Sequence, residues 1–341
     1  MGIGEPGVRR SKWRSLTGVR VLATGGYVPE QVITNEQLQE CTGSDPAWLI
    51  KQTGIRQRRH AAADQATSDL CIAAARRCLD SIDLNPARID LLIVATVTAD
   101  MTFPATACLV QDALKLPQIP AYDISAGCAG FVYALCQAAS AIVSGAADYV
   151  LVVGGDCLSR VINPQDRKTY PLMGDGAGAV LLGRGRSDQG LLRYSLGSDG
   201  SGAGVLGRKG GGSRLPLTPD LLADGAQYLF MDGPAVFSWA IHKISESIQE
   251  LLDEQQLAPS DIDFFVLHQA NIRIINAALD VLGVPRSSVP INLDRYGNTS
   301  AASIPLLLDE IWCSGLLKPG KRLILSGFGA GLSWGTALWR W

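Results

Sequence analysis

A cysteine with small neighbours stands at the start of a helical pattern, where its sulfur could act as a nucleophile. In AYDISAGCAGFVYALCQAASAIVSG, residues 121–145, a short strand pattern runs into Ser-Ala-Gly, then Cys128, then an apolar helical stretch. The small residues allow a ligand to approach the backbone closely. At a helix N-terminus the helix dipole and free N–H groups favour the thiolate, which is the nucleophilic form. A cysteine between small residues is also a common core residue, so the motif alone leaves both interpretations open.

Two further polar residues stand at element boundaries in the second half of the chain. In VLHQANIRIINAALDVLG, His268 lies where an apolar strand pattern ends and an amphipathic helix pattern begins. Asn298 precedes Thr-Ser-Ala-Ala-Ser and another helical stretch. An imidazole and a carboxamide can both donate hydrogen bonds to a developing oxyanion. The alternatives are a satisfied core histidine and a helix-capping turn, which Asn, Thr and Ser all suit.

The last apolar strand pattern is followed by three alternate glycines, Gly327, Gly329 and Gly331. Such a segment can direct backbone N–H groups towards an oxyanion. It can equally form a tight turn that closes a hairpin, and the sequence leaves both structures open.

The elements around these residues repeat at half the length of the chain. Apolar strand patterns alternate with helical ones, which indicates buried, mainly parallel sheets covered by helices. We predict strands at 91–98, 149–155, 263–270 and 322–329, and helices at 66–82, 129–144 and 235–255. PARIDLLIVATVT and PSDIDFFVLHQAN begin at Pro86 and Pro259, 173 positions apart, and the next pair of strands has about the same offset.

This shared offset predicts an internal duplication and argues against a coincidence between generic buried strands. In the duplication His268 takes the place of Ala95, at the end of the equivalent strand. Asn298 falls close to the counterpart of Cys128. We therefore expect Asn298 and Cys128 to face each other across a pseudo-twofold axis.

The composition excludes several classes of protein. The 341 residues, 47% of them hydrophobic, suffice for two domains or a duplicated one. A net charge of −2 gives no reason to expect a nucleic-acid partner, and no run approaches the roughly 20 apolar residues that span a membrane. The eight cysteines contain no CxxC pair and the three histidines are far apart, which predicts free thiols in a reducing cytoplasm and no metal site. We expect residues 1–17 to be a mobile leader.

Taken in order, four segments closely resemble β-ketoacyl-acyl-carrier-protein synthase III, a condensing enzyme of the thiolase superfamily: DISAGCAGFVYAL, HQANIRII, DRYGNTSAASIP and GFGAGLSWGTALWR. The similarity extends over residues 18–341 and includes PEQVITNEQL, WLIKQTGIRQR, NPQDRKTY and GDGAGAVLL. It implies an α/β fold of five αβαβα layers built from two duplicated halves, which we place at 18–190 and 191–341. It also implies a homodimer that needs no cofactor.

The resemblance implies a decarboxylative Claisen condensation of an acyl-CoA with a malonyl thioester, carried by acyl-carrier protein or by CoA. The product is a 3-oxoacyl thioester for fatty-acid or polyketide-type biosynthesis. Cys128 would carry the acyl group, while His268 and Asn298 would stabilise the enolate formed on loss of carbon dioxide. The N–H groups of Cys128 and Ala330 would form the oxyanion hole, and Phe328 would shield the site. The implied CoA-binding residues are Trp48, Arg167, Phe237, Asn271 and Arg273, and the implied acyl-pocket residues are Leu158, Leu172, Leu229, Met231 and Phe103, the last reaching into the partner subunit.

The chain departs from the family at the surface expected to receive the carriers. Gln52, Ser238 and the pair Asp280-Val281 stand where family members often carry basic residues. The lost charges predict weaker docking of an acidic carrier protein. Two alternatives follow: an enzyme that transfers the Cys128-bound acyl group to an alcohol, an amine or water, and a non-catalytic acyl-binding partner subunit.

Overall fold

The computed structural model describes residues 12–341, which form β-strands, α-helices and short 3-10 turns. The strands are β1 (Arg14–Thr17), β2 (Val19–Tyr27), β3 (Gln31–Thr34), β4 (Gln57–His60), β5 (Leu91–Ala95), β6 (Ala121–Ile124), β7 (Tyr149–Asp156), β8 (Gly176–Arg184), β9 (Gly190–Ser198), β10 (Leu206–Arg208), β11 (Leu229–Met231), β12 (Phe264–Leu267), β13 (Arg322–Gly329) and β14 (Ser333–Arg340). The α-helices are α1 (Asn35–Thr42), α2 (Pro46–Thr53), α3 (Thr67–Asp80), α4 (Thr106–Ala113), α5 (Gly130–Val143), α6 (Pro219–Ala223), α7 (Gly233–Gln255), α8 (Ile272–Leu282), α9 (Leu293–Tyr296) and α10 (Ser303–Cys313).

Two five-stranded sheets share the topology of four of their strands. The strand order is β2-β8-β7-β5-β6 in the first sheet and β1-β9-β14-β13-β12 in the second. Strands β5 and β7 are parallel, as are β12 and β13, whereas β8 and β14 each run antiparallel to their neighbours. Four strands therefore correspond one to one, and the fifth lies on opposite edges, β6 beside β5 and β1 beside β9.

The offset of 173 positions holds in the strand register as well as in the order of elements. Leu91 pairs with Val150 in the first sheet, and Phe264 pairs with Leu323 in the second. The 3-10 turn Gly127–Ala129 leads into α5, just as the turn Ser300–Ala302 leads into α10, again 173 positions later. The predicted duplication is confirmed, and the counterpart of Cys128 is Ala301.

Helices cover both sheets and separate them. Helices α3 and α4 pack on the outer face of the first sheet, α7 and α8 cover the second, and α5 and α10 lie between the sheets. Strand β5, with the sequence LLIVA, is buried along its whole length because helices cover both of its faces. This arrangement confirms the predicted five αβαβα layers. Among the described residues, no helix is both long enough and apolar enough to cross a membrane.

The expected leader needs a correction at its C-terminal end. Residues 1–11 lie outside the described residues. Residues Arg14–Thr17, however, form the edge strand β1, in which Leu16 pairs with Leu191 of β9. A four-residue segment has too little pattern to predict a strand, since a partner distant in sequence supplies the pairing. We keep 18–190 and 191–341 as a proposed division, whose boundary lies at the first residue of β9, just after the segment that connects β8 to β9.

Candidate functional site

One cavity of about 1300 Å³ is lined by polar residues from both halves of the molecule. Cys128 reaches it from the turn before α5, His268 from the end of β12, and Asn298 from the segment before α10. The duplication brings these elements together, because the turns before α5 and α10 are equivalent and both helices lie between the sheets. The three residues predicted from the sequence therefore share one concave site.

Glycines allow the backbone around Cys128 to approach the turn between β13 and β14. A Cβ atom on Gly329 would lie 2.5 Å from the backbone nitrogen of Cys128, and one on Gly127 would lie 2.8 Å from the backbone nitrogen of Ala330. Neither position has room for a side chain, and Gly127 also has φ of +56°. The glycine segment thus closes a hairpin and also brings the two N–H groups expected to form the oxyanion hole close together.

Burial raises the pKa of the Cys128 thiol to about 12. Hydrogen bonding to Ser300 lowers this pKa, and the negative charge of Asp156 raises it further, but desolvation is the largest effect. Hydrogen bonding of the backbone at Cys128 also lowers this pKa, in the direction expected at the start of a helix, but desolvation outweighs it and favours the thiol. Cys128 also lies in a 3-10 turn, two residues before α5 begins, which puts it outside the first turn of the α-helix. The thiol consequently needs a proton acceptor when it attacks a substrate.

His268 is held by a buried serine and an aromatic ring. Its Nδ1 atom lies 2.7 Å from the Oγ atom of Ser303, which in turn lies 2.9 Å from the carbonyl oxygen of Ser300. The Phe328 ring meets the imidazole edge-on, with 5.1 Å between the ring centroids. Desolvation lowers the pKa of His268 to about 3, so the imidazole is neutral near pH 7.

The single hydroxyl proton of Ser303 sets the tautomer of His268. If this hydroxyl donates to the Ser300 carbonyl, Nδ1 carries the imidazole proton and Nε2 is an acceptor. If it donates to Nδ1, the imidazole proton is on Nε2, which then donates into the cavity. The donor role expected for His268 therefore requires the second arrangement.

Asn298 is fixed through its backbone and its side-chain oxygen. Its N–H donates to the carbonyl of Leu172 at 2.8 Å, and its carbonyl accepts from the N–H of Gly174 at 2.9 Å. The N–H of Ser300 donates to Oδ1 at 2.9 Å, which leaves the Nδ2 group as the donor for a ligand. The buried Arg58 donates to the carbonyl of Pro171 and so anchors the segment that holds Asn298.

The residues expected to bind CoA line the same cavity: Trp48, Arg167, Phe237, Asn271 and Arg273. The Arg273 guanidinium lies over the Phe237 ring, 5.3 Å from its centroid, and donates to Oε1 of Gln52 at 2.5 Å. Asn271 donates to the carbonyl of Gln52 at 3.2 Å. Gln52, which departs from the family pattern, therefore orients two of the residues expected to bind CoA.

Four of the five residues expected to form the acyl pocket line the cavity: Leu158, Leu172, Leu229 and Met231. Phe103 does not, and its side chain is 82% exposed. Met101 and Val97, in the same segment, are also exposed. Val97 lines the cavity, whereas Met101 and Phe103 do not, so only the later part of this segment presents apolar side chains away from the cavity of its own chain.

The sequence analysis missed three polar residues close to the trio: Asp156, Ser300 and Ser303. Asp156 ends the apolar strand β7, where a charged residue is as unusual as His268 is at the end of β12. The Val97 N–H and the hydroxyl groups of Thr96 and Thr98 all donate to its Oδ1 atom. Because these residues turn towards Asp156, the strand predicted at 91–98 ends at residue 95. The two serines were hidden in a run that suits ordinary helix capping.

No metal centre is found in the part of the chain that the structure describes, since no group of three or more His, Cys, Asp or Glu side chains could hold an ion. The available groups are a thiol, a neutral imidazole, a carboxamide and backbone N–H donors. Such groups suit acyl transfer and the stabilisation of oxyanions.

Solved structures with the same fold define the class of the protein. The 3-oxoacyl-[acyl-carrier-protein] synthase III of Aquifex aeolicus superimposes with a TM-score of 0.88 at 37% identity, covering 95% of this chain and 100% of that one. The priming β-ketosynthase of the R1128 polyketide pathway gives a TM-score of 0.87 at 35% identity, with 98% of both chains covered. Fold and site together define a condensing enzyme of the thiolase superfamily.

Sequence comparisons identify the family within that class. Family models described as 3-oxoacyl-[acyl-carrier-protein] synthase III and as its C-terminal part match residues 122–211 and 252–341. A β-ketoacyl-[acyl-carrier-protein] synthase III of Rhodopirellula baltica is 48% identical over 96% of this chain and 99% of its own length. The chain belongs to the β-ketoacyl-acyl-carrier-protein synthase III family. It is an enzyme that performs a Claisen condensation in fatty-acid or polyketide-type biosynthesis.

Proposed function

We propose that this enzyme is an acyltransferase that joins an acyl-CoA primer to a malonyl thioester through an acyl group on Cys128. The observation that carries the proposal is the shared cavity, which contains the thiol, His268 and Asn298 together with aromatic and cationic side chains. An aromatic plate and arginines suit the adenine and phosphates of CoA. The reaction requires two thioester substrates and no cofactor.

The first half-reaction transfers the acyl group to the enzyme. The Cys128 sulfur attacks the carbonyl carbon of the acyl-CoA, and the negative charge forms on the carbonyl oxygen. The N–H groups of Cys128 and Ala330, close together across the two glycines, bind this oxygen. Collapse of the intermediate expels the CoA thiolate and leaves a thioester on Cys128.

The second half-reaction forms the carbon–carbon bond. Nε2 of His268 and Nδ2 of Asn298 donate to the carbonyl oxygen of the malonyl thioester, so that loss of carbon dioxide gives a stabilised enolate. The Phe328 ring, 3% exposed and packed edge-on against His268, keeps water from the carboxylate and favours its departure as neutral carbon dioxide. The enolate carbon then attacks the acyl group on Cys128 and releases a 3-oxoacyl thioester.

The apolar part of the cavity receives the acyl chain of the primer. Leu158 and Leu172 lie beside Val161 and Met173 in one small cluster, which favours an apolar chain at this end. Phe103 completes the pocket of a second subunit in a homodimer. Its exposed ring, next to exposed Met101, supports this because isolated chains seldom present such side chains together.

The malonyl group is carried by acyl-carrier protein or by CoA. The charges on the surface of α8 affect the use of the first carrier and not of the second. Asp280 and Val281 are exposed there, and Asp280 pairs with Arg286, which reduces the positive field offered to an acidic carrier. Charge reversal by Asp280→Lys should improve use of malonyl-acyl-carrier protein and leave the KM for malonyl-CoA unchanged. An equal effect on both carriers would show that α8 does not contact the carrier protein.

The proposal is tested by supplying a panel of acyl-CoAs and identifying both the adduct and the product. We expect an acyl mass on the peptide containing Cys128, followed by carbon dioxide release and a 3-oxoacyl thioester once a malonyl thioester is added. Cys128→Ala should abolish the adduct, while Cys108→Ala, which removes an exposed thiol, should retain it.

The same product analysis separates condensation from acyl transfer to other acceptors. The weakened positive surface of α8 motivates the second candidate, transfer to an alcohol, an amine or water. An ester, an amide or a free acid, formed without carbon dioxide release, would overturn the proposed condensation and support that candidate.

A further inference from the structure

A buried carboxylate lies beside the nucleophile and has no part in the reaction described above. Asp156 is completely buried, and its hydrogen-bond donors among the described residues are all neutral: the hydroxyl groups of Thr96 and Thr98 and the N–H groups of Val97, Thr98 and Ala301. Burying a carboxylate without a cationic partner is costly, and such groups are concentrated at functional sites. Its proximity to the thiol raises the Cys128 pKa, which a purely structural role does not require.

The two oxygens of Asp156 have different surroundings. Oδ1 accepts all four bonds from the segment of residues 96–98, at 2.8 to 3.1 Å. Within residues 12–341, the hydrogen bond that Oδ2 accepts is the one from the Ala301 N–H, at 3.2 Å. A carboxylate oxygen can accept more than one hydrogen bond, so Oδ2 can take another donor. Ala301 is the neighbour of Ser300, which lines the cavity.

Ser300 adjoins both Cys128 and Asp156, because it lines the cavity together with Cys128 and the next residue, Ala301, donates its N–H to Asp156. Ser300 is 2% exposed and lines the cavity, and its Oγ atom makes no hydrogen bond of ordinary length and angle. Desolvation raises the pKa of both Cys128 and Asp156, and the nearby Ser300 hydroxyl lowers both. An unpaired, buried hydroxyl between a proton donor and an acceptor can exchange protons with both.

The backbone of Ser300 indicates that the hydroxyl has a function. Its φ is +50°, in the left-handed region that favours glycine. The equivalent residue in the first half, Gly127, has φ of +56° and bears no side chain. The second half thus retains a serine where glycine would be relaxed, and strained residues of this kind cluster at functional sites.

We propose that Ser300 and Asp156 form a proton relay for Cys128. As the sulfur attacks the primer, the S–H bond breaks and the S–C bond forms. The thiol proton passes to Ser300 Oγ, and the Ser300 proton passes to Asp156 Oδ2. When the condensation breaks the S–C bond, the proton returns along the same route to the sulfur.

With this relay, the protons of the reaction cycle balance. The return of the proton to the sulfur in each turnover rests on the proposed function. The departing CoA thiolate takes a proton from solvent at the mouth of the cavity. That proton is the one consumed overall when the malonyl carboxylate leaves as carbon dioxide. The proton on Asp156 remains within the protein, since the carboxyl group has no exposed surface. Cys71, which feels the charge of Asp156, is also buried, and desolvation followed by the negative charges of Asp156, Asp100 and Asp123 raises its pKa, so it offers no proton exit.

Alkylation of Cys128 by iodoacetamide tests the relay without any acyl substrate. Because the charge of Asp156 raises the Cys128 pKa, a purely electrostatic role predicts faster alkylation in Asp156→Asn at neutral pH. The relay predicts the opposite sign, about 100-fold slower alkylation near pH 7 with recovery at high pH, since general-base assistance has that order of magnitude. Faster or unchanged alkylation in this variant overturns the relay.

Two variants of Ser300 separate its hydroxyl from its backbone. Ser300→Ala removes the hydroxyl and keeps the strained backbone, whereas Ser300→Gly removes both the hydroxyl and the strain. The relay predicts equally slow alkylation in both. A wild-type rate in Ser300→Gly overturns it, because only the backbone would then matter.

The wild-type enzyme provides a test that does not depend on any variant folding. With isotope-labelled aspartate, infrared difference spectra should gain a protonated carboxyl band when Cys128 is alkylated or acylated. The absence of a new band overturns the relay. If alkylation and the band follow the prediction but no malonyl thioester is condensed, the relay stands and the proposed function fails.

Discussion

Replacing Ser303 by alanine should impair decarboxylation while leaving Cys128 reactive. The Ser303 hydroxyl is completely buried and lies 2.7 Å from Nδ1 of His268. Without it, Nδ1 has no donor to hold the imidazole proton on Nε2, and the tautomer that donates into the cavity loses its stabilisation. Loss of a buried hydrogen bond costs about 1–3 kcal/mol, which corresponds to about a 5- to 150-fold decrease in rate.

The assay measures carbon dioxide release from the malonyl thioester separately from alkylation of Cys128. We expect kcat for release to decrease by the stated factor, with KM changed much less, because the interaction is made in the transition state. Ser303→Thr keeps the hydroxyl and should retain most activity. Ser247→Ala removes another buried hydroxyl, bonded to Thr336 at 2.8 Å, and should leave release unchanged. Wild-type release in Ser303→Ala would refute the reasoning about the tautomer.

Three further changes test other parts of the site. Desolvation lowers the pKa of His268 to about 3, below its value in the unfolded state. The unfolded state therefore binds more protons, and the free energy of unfolding falls as the pH drops below about 6.5. Between pH 7 and 5, urea unfolding should show a loss of about 2 kcal/mol from this residue, which is absent in His268→Gln. Gly174→Ala puts a Cβ atom 2.0 Å from a backbone oxygen and should cost about 1–3 kcal/mol and displace Asn298, whereas Gly212→Ala, with open space around it, should be neutral in thermal unfolding and activity. Gln52→Ala should raise the KM for acyl-CoA about fivefold with little change in kcat, since it releases the Arg273 side chain; an unchanged KM would contradict this role.

Much of the fold could be predicted because the repeated pattern is strong. The offset between Pro86 and Pro259 predicted which strands are equivalent. In the structure, β5 pairs with β7 in the same register as β12 pairs with β13, at the same offset. Buried apolar strands and amphipathic helices can be recognised from the hydrophobic pattern of their own residues. The short strand β1 could not be predicted, because pairing with β9 stabilises it and its four residues have no pattern of their own.

The candidate site was predicted as a set of residues but not as an electrostatic environment. Cys128, His268 and Asn298 stand out because polar residues interrupt apolar or small-residue segments. The pKa of Cys128 could not be predicted from its place near a helix, since it depends on how completely the surrounding chain removes water. Ser303 was missed because its contact with His268 spans 35 positions of the sequence and resembles ordinary helix capping.

The most direct measurement follows a single turnover of the acylated enzyme. Enzyme carrying one acyl group on Cys128 is mixed with malonyl thioester, and the adduct, carbon dioxide and product are quantified together. We expect the adduct to disappear as equal amounts of carbon dioxide and 3-oxoacyl thioester form, and Asn298→Ala to retain the adduct and release little carbon dioxide. Loss of the adduct without a new carbon–carbon bond, or full turnover in Asn298→Ala, would contradict joint action of the three residues in one cavity.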